Sequence, residues 1–171
     1  MLKNIPPVLS PELLKALCEM GHGDELVIAD GNFPSHTVGK NAIVVRADGH
    51  GVPELLDAVL QVIPLDTYVE KPVALMEVMP GDPCPTPPIW QTYRELLQKH
   101  EPEHCAVEMT ERFAFYERAK NAYLIIATGE TAIYANVLLK KGVVTYCFFK
   151  TNHPAHKRAF FCGRGIFVNP W

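Results

Sequence analysis

At 171 residues the chain has the length of one ordinary domain and can bury a substantial core. Apolar residues make up 48% and charged residues 20%, a soluble globular balance, and a net charge of -3 argues against nucleic acid or an anionic membrane surface as a partner. No run approaches the roughly 18 apolar residues of a membrane-spanning helix, and Met1 to Pro7 carries no apolar core of the signal-peptide kind. The cysteines, Cys18, Cys84, Cys105, Cys147 and Cys162, are scattered and form no CxxC pair, so reduced thiols in a cytoplasmic protein are expected.

Ser10-Pro11-Glu12 starts the first helix, with Ser10 as N-cap and Pro11 at the first helical position. Leu13, Leu14, Leu17 and Met20 recur at helical spacing until Gly21 stops the run. Glu25 to Ala29 reads as a strand, and Gly31 to His36, which contains Pro34, as loop. Ala42 to Val45 is a short β-branched strand, followed by the turn Asp48-Gly49-His50-Gly51. Val52-Pro53-Glu54 opens a second helix carrying Leu55, Leu56, Val59, Leu60 and Ile63, which Pro64 ends.

Pro72 to Val78 is a strand, Pro80 to Pro88 a proline-rich surface loop, and Trp90 to His100 a third helix with a face made by Tyr93, Leu96 and Leu97. A short strand over Ala106 to Met109 precedes a helix over Arg112 to Asn121. Tyr123 to Ala127 is a buried strand, and Ile133 to Leu139 is a further apolar stretch closed by Lys140-Lys141-Gly142. Strands alternating with helices predict a single-domain α/β fold with a largely parallel sheet flanked by helices.

The chemistry-bearing stretch is Met20-Gly21-His22-Gly23-Asp24-Glu25, with Asp30 where the following strand ends. Glycines on either side let the backbone turn tightly and leave the imidazole unshielded. Imidazole suits proton transfer near neutrality, and a carboxylate at Asp30 is expected to orient the ring and stabilise its charged form. The alternative is a glycine helix stop with an incidental histidine. Asp24 and Glu25 read as structural, His36 and His50 as solvated, and Arg46-Ala47-Asp48-Gly49 as a strand-to-helix turn.

Several ordered pieces carry a family resemblance: Leu9-Ser10-Pro11-Glu12-Leu13-Leu14, Met20 to Glu25, Ala29-Asp30 with Phe33-Pro34, Arg46-Ala47-Asp48-Gly49, and Pro64-Leu65-Asp66-Thr67-Tyr68. Arg112-Phe113 with Phe115-Tyr116-Glu117-Arg118-Ala119, Thr128-Gly129-Glu130 and Leu138 to Val143 complete the set. Together they resemble the ribose pyranase/fucose mutarotase family, from residue 1 to about Val143. The resemblance implies an enzyme that interconverts the anomers of a free reducing sugar without metal or organic cofactor. L-fucose is the expected substrate; D-ribose, or a non-catalytic ring protein binding sugar or a partner, are the alternatives.

It further implies an α/β sandwich that assembles into closed rings, with sites shared between adjacent subunits. By position, the family's His-Asp pair falls on His22 and Asp30, its arginine on Arg112, and its tyrosine on Tyr116. The sugar-contacting segment falls on Tyr134-Ala135-Asn136, with Ala135 where glycine is usual, and a further aspartate contact on Asp66. Ring opening removes the proton on the anomeric hydroxyl and protonates the ring oxygen, so two proton-transfer groups are needed a sugar ring apart. His22 with Asp30 supplies one and Tyr116 or Tyr134 the other. Arg112 and Asn136 supply donors and Asp66 an acceptor; Phe115, more readily a core residue, is the candidate ring to cover the sugar's C–H face.

From Val144 to Trp171 the likeness ends, so this stretch is set apart as an extension to a domain spanning 1–143. It is locally basic through Lys150, Lys157, Arg158 and Arg164. Cys147, His153, His156 and Cys162 are zinc-ligand types, but they lack the close cysteine pair of zinc modules, and no metal site is expected.

Overall fold

The computed structural model describes residues 2–145. The extension from 146 onward, with Cys147, His153, His156 and Cys162, lies outside the described residues. Six strands form one sheet: β1 (Glu25–Ala29), β2 (Ile43–Ala47), β3 (Val73–Met76), β4 (Val107–Thr110), β5 (Leu124–Thr128) and β6 (Val137–Lys140). Their spatial order is β2-β5-β1-β6-β3-β4. β1 is parallel to β5, β5 to β2, and β3 to β4, whereas β6 is antiparallel to both of its neighbours, β1 and β3. Five strands therefore share one direction and a single opposed strand lies among them, as a largely parallel sheet requires.

Side chains alternate across the strands, which gives the sheet two apolar faces. Leu26, Ile28, Leu124, Ile126, Val137 and Leu139 face the helices α1 (Pro11–Glu19), α3 (Val52–Leu60) and α4 (Ile89–His100). Val27, Ala29, Ile125 and Leu138 face α2 (Ser35–Val38) and α5 (Arg112–Ala119). Burial on both faces explains why β1, β3 and β5 read as continuous apolar runs.

Helix α1 begins as its residues dictate: the Ser10 hydroxyl accepts from the Leu13 amide at 3.1 Å, and Leu13, Ala16 and Leu17 bury one face. Two expectations change. The stretch read as loop, Gly31 to His36, ends by entering one helical turn, Ser35–Val38, because the turn starts just after Pro34, where a missing amide hydrogen costs nothing. The apolar stretch after Ile133 enters the sheet only at Val137, since Tyr134 holds a left-handed backbone (φ +55°) that no strand accommodates. Among the described residues Cys18, Cys84 and Cys105 are free thiols, and no helix is long and apolar enough to cross a membrane.

Candidate active site

The expected site residues fall at two opposite edges of the sheet. At the carboxyl edge of the five co-directional strands, Asp30 follows β1 and Arg112 opens α5 just after β4. Tyr134, Ala135 and Asn136 reach the same edge because antiparallel β6 begins there, with Val137 opposite Ile28.

Asp30 and Asn136 form a buried pair. The Asn136 Nδ2 donates to Asp30 Oδ2 at 2.7 Å, and the Asp30 amide donates back to Asn136 Oδ1 at 2.9 Å. The Asn32 amide donates to the other Asp30 oxygen at 2.9 Å. Burial pushes the Asp30 carboxyl above its ordinary value, and these hydrogen bonds only partly offset it. Asp30 also borders a cleft of about 400 Å³ lined with Phe33, Ser35, Arg46 and Thr128.

Phe33 links this turn to α5: its ring lies 5.5 Å from that of Tyr116, and the Arg112 guanidinium carbon lies 5.9 Å from the same Tyr116 ring. Arg112, Tyr116 and the Asp30 turn are therefore joined through stacked side chains. Phe115 is fully buried and meets Phe33 edge-on at 6.5 Å, so it belongs to the core and cannot cover a sugar.

The Tyr134-Ala135 turn is heavily constrained. A left-handed non-glycine residue costs about 1–3 kcal/mol and persists only where its surroundings over-determine it. Here the Trp90 indole donates to the Tyr134 carbonyl at 2.8 Å, and the Tyr93 hydroxyl donates to the Ala135 carbonyl at 2.7 Å. Burial, with Glu130 and Asp30 nearby, raises the Tyr93 hydroxyl well above the tyrosine range, so it remains a donor. The Tyr134 hydroxyl donates to Asp82 Oδ2 at 3.1 Å and accepts from the Met79 amide at 3.3 Å. With both capacities engaged, Tyr134 is poorly placed to move a proton, and Tyr116 is the better of the two tyrosines. Ala135 is fully buried without a positive φ, so its methyl group imposes no backbone change of the kind expected from replacing glycine.

At the amino edge, Gly23 (φ +85°) turns the chain into β1 and leaves the His22 side chain 46% exposed. His22 Nε2 lies 3.1 Å from Oδ1 of Asp66, which also accepts from the Tyr68 amide at 3.0 Å. The Tyr68 ring, itself 78% exposed, lies 5.3 Å from the imidazole. Burial alone would raise the Asp66 carboxyl, but the Tyr68 amide, the His22 ring and the charge of Lys140 together hold it below its ordinary value.

This corrects the expected pairing. The carboxylate that orients His22 within the chain is Asp66, not Asp30. His22 precedes β1 and Asp30 follows it, which separates them by on the order of 20 Å at about 3.3 Å per residue. Asp66, expected to accept from a sugar hydroxyl, is 2% exposed and holds the imidazole within this chain. Of the minor expectations, Glu25 is bound by Arg118 (2.7 Å), Asp24 accepts from the Gly21 amide (2.7 Å), and Arg46 in β2 pairs with Asp48 in the turn that follows, whereas His50, expected to be solvated, pairs with Glu54 at 2.9 Å. Trp90, Tyr93, Asp82 and Tyr68 had no site role in the sequence reading, where Trp90 and Tyr93 counted only as parts of a helix. The one signal available for any of them was Tyr68's place in the Asp66-Thr67-Tyr68 piece.

A layered α/β protein with a mixed sheet, a buried Asp–Asn pair at one sheet edge and a His–carboxylate pair at the other is the class defined by this architecture. The chain belongs to the RbsD / FucU transport protein family, whose model matches residues 3–144. It is 51% identical over 146 residues to a fucose mutarotase of Mus musculus, covering 84% of this chain and 95% of that protein. FucU from Bifidobacterium longum superposes with a TM-score of 0.81 at 62% identity, covering 84% of this chain and all of that one. A fucose mutarotase from Streptococcus pneumoniae, solved in complex with L-fucose, gives 0.79 at 49% identity, again covering 84% of this chain and all of that one.

Proposed function

We propose that this chain is an L-fucose mutarotase, an isomerase that exchanges the α and β anomers by acid–base ring opening and closure. The observation that carries the reading is the buried Asp30–Asn136 pair, set in a chain 49% identical across the whole of a fucose mutarotase that was solved with L-fucose. Asp30, Asn136 and Arg112 bind the sugar hydroxyls, and Tyr116 lies between Arg112 and Phe33 at the same rim. His22 turns Nε2 toward Asp66, which leaves Nδ1 to take or give a proton.

One group removes the proton from the anomeric hydroxyl while the other protonates the ring oxygen. The C1–O5 bond breaks to give the open aldehyde, which rotates about C1–C2 and closes on the opposite face. Acid–base assistance of roughly 10²–10⁴-fold is sufficient for a reaction that already proceeds in water.

Within one chain the His22–Asp66 pair is far from Asp30 and Asn136. The reading therefore includes self-association in which the amino edge of one subunit meets the carboxyl edge of the next, as in a closed ring with shared sites. Among the described residues, the free thiols of Cys18, Cys84 and Cys105 suit a reducing compartment such as the cytoplasm. Saturation-transfer NMR tests the activity directly: anomer exchange of L-fucose accelerates with enzyme, while a D-ribose arm reports pyranase activity. Co-assembling His22→Ala with Arg112→Ala chains tests the shared site, since mixed assemblies contain some intact sites and regain exchange. No recovery after verified subunit exchange would mean that each chain carries its own complete site.

A further inference from the structure

The strained turn at Tyr134-Ala135 is held by donors that have no direct place in sugar chemistry. Trp90 and Tyr93 are three residues apart on α4 and so present their polar atoms from one helical face. Each takes one of two successive backbone carbonyls: the indole binds that of Tyr134 and the phenol that of Ala135, at 2.8 and 2.7 Å. The next residue is Asn136, whose amide makes both hydrogen bonds to Asp30. Tyr93 and Ala135 are both fully buried, so solvent cannot replace the phenol if it is removed.

We propose that Trp90 and Tyr93 are positioning residues for substrate binding: a two-donor clamp from α4 that fixes the left-handed turn and thereby aims the Asn136 amide at Asp30 and the sugar. The clamp sits one layer behind the site and touches no substrate atom. It couples the packing of α4 against the sheet to the geometry of the sugar contact, so loosening it weakens binding rather than proton transfer. This rests on the reading that Asp30 and Asn136 bind the sugar.

The test is a double-mutant cycle on the full chain, read by the KM and kcat of L-fucose anomer exchange. Tyr93→Phe keeps the ring and removes only the donor; KM is expected to rise about five- to tenfold with kcat little changed. Asn136→Ala is expected to raise KM by itself, and adding Tyr93→Phe to it should raise KM no further, because the clamp acts through Asn136. A role in stability alone would lower the melting temperature in both backgrounds and leave KM unmoved. An unchanged KM in Tyr93→Phe, or an effect that adds fully to that of Asn136→Ala, overturns the clamp. An unchanged KM in Asn136→Ala overturns instead the sugar site on which it rests. If Tyr93→Phe does not fold, Trp90→Phe removes the other donor and is judged by the same KM criterion.

Discussion

Replacing Asp66 by asparagine separates what the His22–Asp66 pair does for chemistry from what it does for the fold. The carboxylate is buried and its Oδ1 serves two donors, the Tyr68 amide at 3.0 Å and His22 Nε2 at 3.1 Å. An asparagine oxygen can keep the Tyr68 bond and still orient the ring, but it cannot stabilise an imidazolium. The His22 side chain is 46% exposed, so the lost ionic component is worth only about 0–1 kcal/mol of stability. For a chain of this size, 1 kcal/mol corresponds to about 2–4 °C in melting temperature. The proton-transfer contribution is far larger, so anomer exchange of L-fucose should fall by roughly 10²-fold or more. Saturation-transfer NMR at the anomeric protons gives the rate, and a thermal melt of the same sample gives the stability. A rate within a few-fold of the wild type, with the fold intact, would refute the assignment of Asp66 as the group that supports a charged His22.

Two further substitutions probe the two edges separately. Asp30 has a carboxyl raised above 3.8, so its contribution to stability is full below that value and is lost as pH rises through the raised one. Asp30→Asn should therefore gain on the wild type as pH climbs from 3.8, and denaturant midpoints of both proteins across pH 3.5 to 7 would show the gap opening or its absence. Asp66 has the opposite sign, its contribution being lost only as pH falls below 3.8, so the two titrations occupy different windows. Gly142→Ala would bring a Cβ within 2.3 Å of the Leu65 carbonyl oxygen and 3.0 Å of the Asp66 Cα, which forces the Asp66 segment outward. Exchange should fall steeply while calorimetric L-fucose affinity changes little; equal losses of both would mean that the substitution damages the whole sheet.

Much of the fold could be read from local chemistry. The cap at Ser10, the run from Leu13 to Leu17 and the apolar strand Glu25–Ala29 are all where sequence periodicity puts them, because each is fixed by neighbouring residues. The site was legible to a different degree. His22 stood out for its flanking glycines, but its carboxylate did not. A partner eight positions away in sequence lies across a strand, and the actual one lies 44 positions away in a segment that no local pattern links to it. The clamp on Tyr134-Ala135 is of the same kind, formed at separations of 44 and 42 residues by side chains that look like ordinary helix core. A left-handed tyrosine has no composition signal, because the conformation is imposed from outside the segment.

The opposed strand explains why the Asp30–Asn136 pair and the His22–Asp66 pair lie at opposite edges of one sheet. Because β6 runs against its neighbours, its first residues follow Asn136 at the carboxyl edge and its last lie at the amino edge. There the Lys141 carbonyl accepts from the Gly23 amide, the Lys141 amide donates to the Asp24 carbonyl, and the Asp66 amide donates to the Lys140 carbonyl. A parallel β6 would have brought Asn136 to the histidine edge and left Asp30 without its partner. As built, four residues, a span of about 14 Å, tie the Tyr134-Ala135-Asn136 turn at one end to both members of the His–Asp pair at the other. The strand is fully buried over Val137 to Leu139 and bonded on both sides, so it acts as a rigid spacer. The two residue pairs are therefore fixed relative to each other, and in the proposed shared site a neighbour docking amino edge to carboxyl edge would receive the imidazole at a position set by its partner's sheet rather than by a loop.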